Sequence, residues 1–145
     1  MTAPESESSR KAVELLTRMF AVEFQFMSSP GRDFSVLSRA FHPDVVVRIP
    51  GSLPYGGDWR GCDGLARLFT AMHETWSGMD VEDIAATIDG DRLFMCGMLV
   101  ATARSSGEEV RQPFAQTLRL KDGLVIEGYP FYSDTAAICG ALEGG

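Results

Sequence analysis

From Val81 to Tyr132 the chain reads as four strand-like runs separated only by tight turns. The runs Val81–Asp89, Leu93–Arg104, Val110–Leu120 and Leu124–Tyr132 are linked by Gly90-Asp91, Ser105-Ser106-Gly107 and Lys121-Asp122-Gly123. Gly beside Asp or Ser between β-rich runs supplies the positive φ that a tight hairpin needs. A long antiparallel sheet is therefore expected. Helical periodicity is confined to the chain before residue 80. A sheet whose helices precede it must curl over them to bury one face, and that shape leaves room for a pocket.

The helices follow from spacing. Between Arg10 and Ser28, the apolar residues Val13, Leu16, Phe20, Phe24 and Met27 recur every three or four positions and predict one helical face. Ser28-Ser29-Pro30-Gly31 ends it. A second short helix is expected over Asp33–Phe41, with Asp33 as its cap and His42-Pro43 as its stop. A third is expected over Asp63–Trp76, with Leu65, Leu68, Phe69, Met72 and Trp76 on one stripe. Val45–Ile49 predicts a short strand, followed by a Gly/Pro-rich loop from Pro50 to Gly61, and a helical stub is expected after Ser133-Asp134. Residues 1–9 predict a mobile tail and residues 10–145 a single domain without internal repeats.

Composition narrows the function classes. A chain of 145 residues with 45% hydrophobic and 23% charged side chains suits one soluble domain. The net charge of -7 argues against a nucleic-acid surface, which needs a basic stripe. No apolar run reaches the ~18–20 residues of a membrane span, and no hydrophobic signal core opens the sequence, so a cytoplasmic location is expected. Cys62, Cys96 and Cys139 are odd in number and widely spaced, which predicts free thiols. His42 and Asp44 have ligand-like spacing, but the only other histidine is His73, so no metal is expected. Gly-x-Ser-x-Gly, Walker and dinucleotide motifs are absent from the sequence.

Three local segments carry a resemblance. Phe41-His42-Pro43-Asp44-Val45 follows the second helix, Trp59-Arg60-Gly61 leads into the third, and Tyr132-Ser133-Asp134-Thr135-Ala136-Ala137 closes the last strand. In this order the chain resembles the ketosteroid isomerases and SnoaL-like polyketide cyclases, over almost its whole length beyond the tail. The resemblance implies an α+β fold, a cone-shaped antiparallel sheet wrapped around N-terminal helices and enclosing an apolar pocket. It also implies no cofactor, a small apolar polyketide-like partner, a homodimer through the outer sheet face, and a place in secondary metabolism such as antibiotic biosynthesis. Apolar residues on both alternations of Leu93–Ala101 agree with a sheet covered on two sides. This scaffold hosts isomerases, dehydratases, epoxide hydrolases, cyclases and binders, so the reaction must be argued from the site.

The steroid-isomerase positions read as losses. The catalytic base falls at Ile49, the helix tyrosine at Phe24 and the oxyanion aspartate at Gln116. Hydrocarbons move no protons, so steroid-type isomerisation is not expected, and no Asp-Arg-Asp set supports epoxide hydrolysis. Gln116 still donates an amide N–H to a carbonyl without titrating. Gln112, Phe114 and Leu118 share its face by strand alternation. In the last strand two registers stay open: either Gly128, Pro130 and Tyr132 point inward, or a bulge at Pro130 turns Glu127 and Tyr129 in. Glu127 is the acid/base candidate that the cyclase resemblance implies, and Tyr132 the cavity phenol.

Phe24, Ile49, Phe69, Met72, Trp76, Phe114 and Leu118 are the expected apolar wall. Tyr55 and Trp59, in the loop with Gly56-Gly57, are candidates for a mobile lid over it, with plain loop packing the slightly favoured reading. His73 can reach the pocket mouth. The best-supported activity is a cofactor-free cyclisation, with a [4+2] closure of the kind known from the indanomycin-pathway member of the family favoured over an aldol cyclisation or isomerisation by Glu127. A non-catalytic binding or dimerisation module is the alternative.

Overall fold

Strand alternation and turn chemistry build most of the molecule. The computed structural model describes residues 6–29 and 31–143. In chain order these form α1 (Glu7–Ser28), a 3-10 helix (Phe34–Arg39), β1 (Phe41–Ile49), β2 (Gly57–Arg60), α2 (Gly61–Thr75), β3 (Trp76–Asp89), β4 (Arg92–Ala103), β5 (Glu109–Lys121), β6 (Leu124–Tyr132) and α3 (Thr135–Glu143). The strands make one curved, unclosed sheet in the order β2-β1-β6-β5-β4-β3. The expected α+β cone is therefore present.

The turns work as their residues predict. Asp122 (φ 54°) and Gly123 (φ 77°) both adopt the left-handed conformation of the tightest hairpin turns, joining β5 to β6. Along β4, Leu93, Met95, Leu99, Ala101 and Ala103 are buried while Phe94 and Cys96 are exposed. The sheet is not wholly antiparallel, however: β1 runs parallel to β6, which places the first strand between β2 and the last.

Several boundaries differ from expectation. The helix α1 begins three residues earlier, because Ser6 caps it by accepting from the Ser9 backbone N–H at 3.0 Å. Ser8 then accepts from Ile88 N at 3.0 Å and donates to Ile88 O at 2.6 Å, tying Glu7–Ser9 to the edge strand β3. Residues 1–5 of the expected tail, and Pro30, lie outside the described residues. The 3-10 helix ends at Arg39, and Phe41, expected as helix, opens a strand running to Ile49. Pro43 sits where the β1–β6 register shifts, so its missing N–H breaks no ladder there.

The core face of α1 is Ala12, Leu16, Met19, Val22 and Phe26, one residue round from the predicted stripe. Phe24 is 74% exposed. Helix α2 seats Leu65 and Leu68, with Phe69 packed between Phe26 and Phe41 at ring separations of 6.4 and 6.0 Å. The buried polar side chain of Gln112 clasps the start of α3: its amide donates to Asp134 O and accepts from Asp134 N, both at 3.1 Å.

Candidate functional site

Between the helices and the concave face of the sheet lies a cavity of about 740 Å³. Helix α1 contributes Met19, Phe20, Glu23, Phe24 and Met27, and α2 contributes Phe69, Met72 and His73. The sheet contributes Ile49 from β1, Trp76 and Met79 from β3, Phe114, Gln116 and Leu118 from β5, and Gly128, Pro130 and Tyr132 from β6. Phe24, His73, Ser77, Asp80 and Ile84 also line it and are exposed, which marks this rim as the mouth. Among the described residues, no Lys or Arg lines the cavity.

The structure thus brings together nine of the predicted site residues: Phe24, Ile49, Phe69, Met72, Trp76, Phe114, Gln116, Leu118 and Tyr132. Gln116 projects from the middle of β5, and among the described residues its Nε2 donates only to the Met95 thioether, at 3.7 Å. Sulfur is a weak acceptor, so this amide is easily recruited by a ligand carbonyl. Tyr132 packs edge-on against Phe114, its cross-strand partner, with ring centroids 5.3 Å apart.

Glu127 does not join them. The β5–β6 register shifts between Arg119/Leu120, where Arg119 faces Glu127 and Leu120 faces Val125, so Ile126 is the extra residue of a bulge. That bulge reverses the alternation: Val125 and then Gly128, Pro130 and Tyr132 point inward, while Glu127, Tyr129 and Phe131 point out. The first of the two sequence registers is therefore correct, and the irregularity lies before Glu127 rather than at Pro130. The Glu127 carboxylate sits outside, 4.0 Å from Arg48, which also bonds Asp58 at 2.7 Å. It cannot act on a molecule in the cavity.

Nor is the segment from Leu53 to Trp59 a mobile lid. Tyr55 is 4% exposed, and its hydroxyl accepts from the Trp76 indole N–H at 2.7 Å. Trp59 anchors the same loop by donating to Tyr55 O at 3.0 Å, and neither Tyr55 nor Trp59 lines the cavity. Gly57–Arg60, expected as loop, pairs with β1 as a strand. Tyr55 instead backs the cavity wall. Burial raises its phenol pKa, partly offset by hydrogen bonds from Trp76 and Tyr132. Burial, with Tyr55 beside it, also raises that of Tyr132. Both phenols keep their protons across the physiological range and can only lend hydrogen bonds.

Sequence reasoning missed Glu23. It lies between Val22, a core residue, and Phe24, so one helical step turns its carboxyl toward the cavity among Met19, Phe20 and Met27. It makes no hydrogen bond or ion pair with another described residue. Desolvation raises its pKa from 4.5 to about 8. The side chain counts as half-buried because the space it meets is the cavity itself. The signal available in the sequence was a single acidic residue inside the stretch Phe20–Met27. His42 plays no such part: its Nδ1 accepts from Asp44 N at 3.0 Å in a local turn, and no metal-binding cluster occurs among the described residues.

Solved structures share this fold. An NTF2-like protein from Burkholderia xenovorans LB400 superposes with a TM-score of 0.77 at 20% identity, over 94% of this chain and 99% of that one. TerC, co-crystallised with polyporic acid, gives 0.75 at 21% identity, over 92% and 98%. A protein labelled a SnoaL-like polyketide cyclase, from Jannaschia sp. CCS1, gives 0.72 at 20%, over 99% of each chain. At these identities the likeness is one of fold. No functionally curated protein matches the sequence. Residues 14–128, most of the chain, match the family described as SnoaL-like domain, and with the cone and its cavity in place the protein belongs to that family.

Proposed function

We propose that the protein is a cofactor-free cyclase acting on an uncharged, apolar, polyketide-like molecule held in the cavity. The observation that carries this is the cavity's make-up: a largely apolar space of about 740 Å³ whose sheet wall offers Gln116 as a neutral donor. Such a wall folds a flexible chain and brings its reacting ends together, which is worth several kcal/mol of barrier when the geometry is near attack. The Gln116 amide polarises a ligand carbonyl without changing its own protonation. A [4+2] closure suits this equipment, since two σ bonds form at the expense of two π bonds and no proton moves. Aldol closure by Glu127 has lost its acid/base group to the outer face. Nothing in the relatives ties the chain to the indanomycin pathway, and that narrower expectation is dropped.

The test incubates the purified protein with linear polyene ketones and follows products of unchanged mass and altered ultraviolet absorption. Conversion without any added cofactor is expected, and Gln116→Ala should lower it about tenfold to a hundredfold, less than the loss of a donor to a full oxyanion. Saturable binding of every such ketone with no conversion would instead make the protein a ligand-binding module.

A further inference from the structure

The cavity has a feature that closure by shape alone does not use. Among the described residues, Glu23 is the one carboxyl that enters it from the helical side, opposite the sheet wall that carries Gln116. The groups that titrate and face the same space are His73 from α2, Asp80 from β3 and Tyr132 from β6. His73 and Asp80 are exposed at the mouth, and Asp80 Oδ1 already accepts from Val81 N at 2.8 Å. Among the described residues, no lining Lys or Arg stands by to neutralise a carboxylate. A carboxyl left among Met19, Phe20 and Met27 without a counter-charge stays protonated rather than bury a charge. A protonated carboxyl has an O–H to give, and no described residue receives it.

Resting on the reading of this cavity as the ligand site, we propose that Glu23 is a hydrogen-bond donor to ligand oxygen. The cavity then selects uncharged ketone-type molecules and turns away carboxylates. A ketone receives the Glu23 O–H on one side, with the Gln116 amide available on the sheet side. A carboxylate would arrive with a charge that nothing in the lining offsets. Ionising Glu23 removes its donor and sets two bare acceptors against the ligand oxygen. Ketone binding should therefore weaken through the pH range in which Glu23 loses its proton, about 8.

The probe is Prodan, an uncharged naphthyl ketone whose fluorescence moves to longer wavelength when its carbonyl accepts a hydrogen bond. For the wild-type protein its dissociation constant should rise up to about tenfold between pH 7 and pH 9, as the competent protonated fraction falls. Glu23→Gln keeps an N–H donor and should bind with no such pH dependence. Glu23→Leu should bind Prodan with emission at shorter wavelength at every pH. Infrared difference spectroscopy of the unliganded protein should show a neutral carboxyl band that disappears above pH 9 and is missing from Glu23→Gln.

Affinity that is constant or rises from pH 7 to pH 9 overturns the proposal, as does an unchanged pH dependence in Glu23→Gln, which would assign it to a group other than Glu23. Failure of Prodan to bind, or tighter binding of 2-naphthoate than of Prodan, also overturns it. None of these readings uses turnover. A protein that passes them and cyclises nothing would lose the proposed activity and keep the donor.

Discussion

At the scale of single residues, the two carboxylates Glu23 and Glu127 show how placement decides chemistry. Glu127 lies on the outer face of the sheet, 4.0 Å from Arg48. Glu23 faces an apolar space, and its pKa rises from 4.5 to about 8 because burial disfavours the charge. Between those two pH values the folded chain holds a proton that the unfolded chain has released, so folding becomes less favourable as pH rises. The favourable contribution is complete below about pH 4.5 and is gone above about pH 8. Glu23→Gln should therefore be more stable than wild type at pH 8, on the order of 1–3 kcal/mol, and should lose that advantage near pH 4.5. Urea unfolding of the two proteins at both pH values checks this. Equal midpoints at pH 8 would mean that the carboxyl is solvated in the cavity.

At the scale of elements, one-residue irregularities in two strands set which side chains meet the ligand. Ile126 in β6 is the bulge that turns Tyr132 inward and Glu127 outward. In β3 the register shifts between Glu82 and Ala85, with Asp83 at φ 53°, so that Met79 and Val81 before it and Ile84 after it all line the cavity. Gly97 of β4 lies against that bulge. A Cβ on Gly97 would come within 2.7 Å of both Glu82 O and Val81 Cγ1, and a backbone carbonyl cannot swing aside as a side-chain tip can. Gly97→Ala should cost about 1–3 kcal/mol through overpacking, read as a lower urea midpoint. An unchanged midpoint would show that β3 yields at its bulge without loss.

At the scale of the molecule, the convex face of the sheet carries an exposed aromatic patch opposite the concave, core-facing side. Phe94, Tyr129 and Phe131 are 41%, 41% and 49% exposed on the convex side, and the last two rings stack at 4.9 Å. The ladder pairs Phe94 with Thr117 and Thr117 with Tyr129, so the three aromatics form one patch across β4, β5 and β6. A contiguous patch of this kind marks an interaction surface, and a second copy of the chain is the proposed partner. Light scattering at micromolar concentration should give a dimer mass for the wild type and a monomer mass for Phe131→Asp, with cavity binding of Prodan retained in both. A monomeric wild type would remove the dimer.

The hairpins, the helical periodicity and the family cone were legible in the sequence because each rests on local signals: Asp122-Gly123 accepts the left-handed turn wherever it is placed, and Leu93, Met95 and Leu99 alternate whatever they pack against. The position of Gln116 on the cavity wall followed from that same alternation, given the family's concave face. What the sequence could not decide was parity and azimuth. The extra residue at Ile126 is visible only as a register shift against β5, and it exchanges Glu127 for Tyr132. The rotation of α1 by one residue, fixed by Leu16, Met19 and Phe26 packing into the core, hands Phe24 to the rim and Glu23 to the interior of the cavity. Tyr55 became wall rather than lid because Trp76, 21 residues away in the chain, reaches its hydroxyl. Composition and spacing determine which elements form; the chemistry of the cavity was decided by long-range packing, since a shift of one residue in strand or helix changes which side chain faces the ligand.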